Sequence, residues 1–75
     1  MYAVVTLDLN TDCVEEVVAF DGIEEAREFA HKDAYGYAES TEDVYVELKG
    51  SRLIAINDTT AYPCYAWEVV QVSNK

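Results

Sequence analysis

The chain has 75 residues, with fifteen acidic against five basic side chains and a net charge of −10. That length holds one small domain, and because affinity for phosphate needs lysine and arginine, direct binding of nucleic acid is disfavoured. A hydrophobic fraction of 51%, with six Tyr and one Trp, sets the chain apart from acidic disordered tails, which lack the apolar material for a core.

Residues 2–9 alternate as a strand does. Ala3, Val5, Leu7 and Leu9 share one face, and Tyr2, Val4, Thr6 and Asp8 share the other. Asn10-Thr11-Asp12 is turn chemistry. Residues 13–20 resume as a strand with Val14, Val18 and Phe20 on one side, so the first two strands read as a hairpin. Asp21 then stands where a helix N-cap belongs, with Glu24 in the capping-box position.

Ile23, Ala26, Phe29 or Ala30, Ala34 and Tyr37 recur at helical spacing. The small alanines suit a helix lying close on a sheet. Glu24, Glu25, Glu28, His31 and Lys32 form the wet side, with Glu28 and Lys32 spaced as a favourable ion pair. Gly36 is expected to end the helix, and residues 40–43 leave room for one more turn. Residues 44–49 alternate again, with Val44, Val46 and Leu48 inward and Tyr45 and Glu47 outward. Gly50-Ser51 makes a hairpin turn and residues 52–57 return. Residues 58–63 form a loop punctuated by Pro63, residues 64–72 are the last strand, and the tail 73–75 is expected to fray.

The order β-β-α-β-β-β defines an α+β domain: a single antiparallel sheet of about five strands with one helix packed on one face. The other face is left to water or a partner. Alternation places Tyr2, Tyr45, Tyr65 and Trp67 there, an aromatic surface fit for a partner or for a homodimer, although alternation alone leaves open the register of the last strand and with it the face of Trp67.

The charge is unevenly placed. Residues 1–47 hold thirteen acids and two bases (Arg27, Lys32), a net of −11, while residues 48–75 carry a net of +1. Charge kept only for solubility has no reason to concentrate in this way. Asp21, Glu24, Glu25 and Glu28 on the helix, with Glu15 and Glu16 on the neighbouring strand, therefore form a candidate acidic face for a basic partner.

Catalytic chemistry is not recognisable. His31 is the one histidine. Glu28-x-x-His31 has the spacing of a di-iron ligand pair, but such sites need two of these motifs and four helices, so it reads as a solvated helix face. Asp8-x-Asn10-x-Asp12 begins like a calcium loop, yet Cys13 and Ala19 stand where that loop needs Gly and Glu. No Ser or Cys lies in a motif with His31, and three glycines make no phosphate loop. The expectation is a protein that is not an enzyme and carries no metal or cofactor.

The N-terminus runs straight into a strand without a basic start, so no signal peptide is expected. No stretch approaches the roughly 20 apolar residues of a membrane helix. The two cysteines read as small hydrophobes of a cytoplasmic protein.

In size, in charge, in element order and in the acid-studded helix 21–33, the chain resembles the small acidic inhibitor proteins that phages make against host nucleases, anti-CRISPR proteins and DNA mimics among them. A local similarity to uracil-DNA glycosylase inhibitors covers residues 37–43 and 67–74, without the acidic strand motif those inhibitors insert into their target. The resemblance implies a DNA-mimic inhibitor in the host cytoplasm that covers the basic nucleic-acid-binding surface of a complex, a CRISPR effector first among them. The alternative is a small interaction or assembly module that pairs through its aromatic sheet face.

Overall fold

A computed structural model describes residues 1–72 of the chain; the expected fraying of 73–75 lies outside the described residues. The elements are β1 (Tyr2–Asp8), β2 (Cys13–Phe20), α1 (Ile23–Ser40), β3 (Val44–Lys49), β4 (Arg52–Asn57) and β5 (Pro63–Gln71). The strands form one antiparallel sheet in the order β2-β1-β5-β4-β3, with α1 against one face. This is the α+β architecture expected from the hydrophobic pattern. Two local hairpins, β1–β2 and β3–β4, are joined by β5, which pairs antiparallel with β1 on one side and β4 on the other. No helix among the described residues is long and apolar enough to cross a membrane.

Period-two alternation sorts the strand side chains. Under α1 lie Val4, Leu53, Ala55 and Trp67, closed from above by Ala26, Ala30 and Ala34, all buried. The alanines recur every fourth residue, so they line one stripe of the helix. Their small size brings the helix backbone close to the sheet and leaves space at the flanks for rings. Phe20 meets Phe29 at 5.2 Å between ring centroids, and Tyr37 meets Tyr65 at 4.9 Å and Trp67 at 5.9 Å.

This arrangement overturns the expected aromatic face. Tyr2 and Tyr65 pack against the core and Trp67 is 3% exposed within it, all on the helix side. Only Tyr45 stands on the uncovered side, 44% exposed. The cause is register. Trp67 lies opposite Thr6 and Leu53, and Tyr2 precedes Val4 by two residues, so each points the way the helix lies. The uncovered face is aliphatic instead, carrying Val5, Leu7, Ile54 and Val70 around the Arg52–Glu68 ion pair at 2.9 Å.

Four local expectations also change. A bulge interrupts the β1–β2 ladder: Thr6 pairs with Glu16 and Leu7 with Val14, leaving Glu15 without an opposite residue. Val18 and Phe20 therefore face the helix, while Val14 turns to the other side and is 58% exposed. The helix is capped by Gly22 with no side-chain hydrogen bond, so the Asp21 capping box does not form. Gly36 does not end the helix, which continues to Ser40, because Tyr37 still has Tyr65 and Trp67 to pack against. Finally, Glu28 and Lys32 make no ion pair; Arg27 and Glu24 meet at 4.0 Å instead.

Candidate functional site

The acids of the expected partner-binding face are all exposed, but they fall into two groups. Glu24, Glu25 and Glu28 stand on the first half of α1, with Asp21 just ahead of it. Glu15 and Glu16 lie beside the second half of the helix. The two groups do not merge into one row. The bulge decides this, because it turns both Glu15 and Glu16 toward the space beside α1.

That space is a cleft of about 410 Å³ between α1 and the β1–β2 hairpin. One wall is α1, through Lys32, Asp33, Gly36 and Ser40; the other is β2, through Glu15 and Glu16. The floor is built from Thr6 on β1, Tyr65 and Trp67 on β5, and the ring of Tyr37. Asp33 also ties helix to sheet: the Trp67 indole N–H donates to its carboxylate at 2.9 Å. Thr6 is 7% exposed, and its hydroxyl oxygen is buried with no hydrogen-bond partner among the described residues. A second, more apolar cleft of about 330 Å³ lies on the other flank of α1, between Arg27, His31 and the β3–β4 turn.

Burial first, and nearby negative charge second, act on the phenols of the first cleft. The hydroxyl of Tyr65 is pushed above the usual phenol range, first by desolvation and then by the negative charge of Asp8 and Glu15. That of Tyr37 is raised by burial and by Cys64, with a hydrogen bond to Thr41 pulling the other way. Both phenols stay neutral across physiological pH and keep their rings and hydroxyls available.

Sequence reasoning named Glu15, Glu16, Tyr65 and Trp67 but placed the acids and the rings on separate faces. It missed Thr6, Asp33, Gly36 and Tyr37 as parts of one site. Asp33 carried a readable signal: it stands seven residues after Ala26 and three after Ala30, an acid on the edge of the apolar stripe. Asp8-Asn10-Asp12 is a turn, in which the Asp8 carboxylate accepts from the Asn10 N–H at 2.9 Å. Among the described residues, no three His, Cys, Asp or Glu side chains are placed to hold a metal ion.

No family model matches this chain, and no curated protein and no solved structure gives a significant match. Any functional reading therefore rests on the geometry and electrostatics of the chain itself.

Proposed function

We propose that this chain is a non-enzymatic inhibitor, acting in the cytoplasm, that covers the basic nucleic-acid-binding surface of a host complex with its acidic side. The observation that carries this reading is uncompensated charge. Of fifteen acids, only Glu24 and Glu68 sit in ion pairs among the described residues, and the Glu24 pair spans 4.0 Å. Self-repulsion on this scale works against the compact state, and a basic partner relieves it. Carboxylates along α1 and beside the cleft meet lysines and arginines that otherwise hold phosphates. The resemblance to small acidic phage inhibitors makes a CRISPR effector the first complex to test.

The test replaces Glu24, Glu25 and Glu28 together by Lys. Tagged wild-type protein is expected to retain a nucleic-acid-binding complex from bacterial lysate at low salt and to compete with that complex's nucleic acid. It should release the complex as salt rises, since exposed charge pairs are screened over about 10 Å at 0.1 M. The triple variant is expected to keep the helical circular dichroism and lose the complex. Unchanged capture by the triple variant overturns the reading.

A second reading, a module that assembles through the uncovered sheet face, is favoured by Val14 and Val17 on the edge strand β2, which are 58% and 60% exposed. It gives the opposite salt response: self-association that holds or tightens in sulfate.

A further inference from the structure

We propose that the cleft between α1 and the β1–β2 hairpin receives the guanidinium group of an arginine side chain on the basic partner. This rests on the reading that the partner is basic and names what one of its groups does. Four observations converge on it.

The first is the cleft's hydrogen-bonding inventory. Glu15, Glu16 and Asp33 bring acceptor-only carboxylates to it, against Lys32 as the cation of its wall. Asp33 already accepts from Trp67, and a carboxylate has further lone pairs to offer. A surplus of acceptors calls for a ligand that only donates, and guanidinium has five N–H donors and no acceptor.

The second is Thr6. Its hydroxyl oxygen is buried at the floor of the cleft and unpartnered among the described residues. A buried polar atom left unmet is uncommon, and a donor entering the cleft satisfies it.

The third is the aromatic floor. Tyr37, Tyr65 and Trp67 form a cluster with centroids 4.9 to 6.0 Å apart. A planar guanidinium stacks on such rings while its edge meets carboxylates, and a compact ammonium does this less well.

The fourth is Gly36. Glycine inside a helix costs stability relative to alanine. Nothing within 4 Å of the position requires its smallness, since an added Cβ there meets no other atom. Gly36 lines the cleft, where a missing side chain keeps the way open for a ligand's approach.

Trp67 is the single tryptophan and lines both this cleft and the more apolar one on the other flank of α1, so the variants at Glu15, Glu16 and Gly36, which belong to this cleft only, assign the emission response to it. The probes are three capped tripeptides, Gly-X-Gly, with arginine, lysine or citrulline at X; citrulline keeps the shape of arginine and drops its charge. Arginine is expected to change the emission saturably, lysine more weakly and citrulline not at all. Glu15→Gln with Glu16→Gln is expected to weaken the arginine response about tenfold, the scale of one lost charged hydrogen bond. Gly36→Leu is expected to abolish the response while circular dichroism and the melting temperature show an intact fold, because leucine is a strong helix former and its side chain leans over Lys32 and Asp33.

Equal responses to arginine and citrulline, or an unchanged response in Gly36→Leu, overturn the proposal. A lysine response as strong as that of arginine overturns the guanidinium assignment. The two readings fail separately. Arginine binding without capture of any basic complex removes the inhibitor reading and leaves the cleft's ligand standing. Salt-sensitive capture that Gly36→Leu does not weaken removes the cleft from the interface and leaves the inhibitor reading.

Discussion

Trp67 puts a hydrogen-bond donor into a core otherwise built of alanine, valine and leucine. A buried donor without a partner costs about 1–3 kcal/mol, and Asp33 reaches in from α1 to accept it at 2.9 Å. Because the Asp33 residue is itself exposed, water can enter when it is removed, which holds the penalty toward the lower end of that range. Asp33→Ala is expected to lower unfolding stability by about 1–2 kcal/mol, measured by urea titration. Asp33→Asn should lose less, since its amide oxygen still accepts. An Asp33→Ala variant as stable as the parent would show that the bond does not hold helix to sheet. The acid's odd place beside the alanine stripe was legible in the chain. Its partner was not, because Trp67 is 34 residues away and its facing depends on the register of β5.

At the scale of elements, α1 draws little support from its own ends. Gly22 caps it without a side-chain bond, and the exposed Arg27–Glu24 pair at 4.0 Å is of a kind that contributes little. Glu24 and Glu25 in the first turn do suit the helix dipole. Packing holds the helix instead, through Ala26, Ala30 and Ala34 below and Phe29 and Tyr37 at the sides. Hence Gly36, which reads as a stop signal, lies in mid-helix: the tertiary contacts of Tyr37 outweigh the local preference. Since an added Cβ meets nothing there, Gly36→Ala is expected to stabilise the free protein by about 0.5–1 kcal/mol, seen as a higher melting temperature. A lower melting temperature would mean that glycine is needed for the fold itself. On β2 the bulge at Glu15 shapes the cleft, because one extra residue brings two neighbouring carboxylates to it.

For the whole molecule, charge and topology act together. Within a net charge of −10, the candidate acids fall into two groups rather than one row, and two phenols lie at the cleft beside one of them. Tyr65 and Tyr37 both have folded pKa values raised above the ordinary phenol value. A raised pKa means that the neutral form is favoured by folding. The associated stability is fully present below about pH 10, the ordinary phenol value, and is lost as pH rises through the folded pKa. Each ionisation also adds to an excess of negative charge. The melting temperature is therefore expected to be flat through mildly alkaline pH and to fall above about pH 10. Tyr65→Phe should flatten that fall. A melting temperature that declines equally in Tyr65→Phe would assign the alkaline loss elsewhere.

Strand and helix periodicities, the two hairpins, the α+β class and the acidic bias of residues 1–47 were all determined by the sequence, because each is a local pattern or a sum over residues. Strand bounds for β2, β3 and β4 follow from alternation and turn residues alone. Which sheet face meets the helix was decided only by tertiary structure. Period-two alternation divides a strand into two faces without saying which is covered, and here the aromatic one is: Tyr2, Tyr65 and Trp67 go under α1 while the aliphatic face stays open. The cleft belongs to the same category. Thr6, Glu15, Asp33 and Tyr65 come from four elements, and they meet only because β5 inserts between two hairpins that are local in sequence.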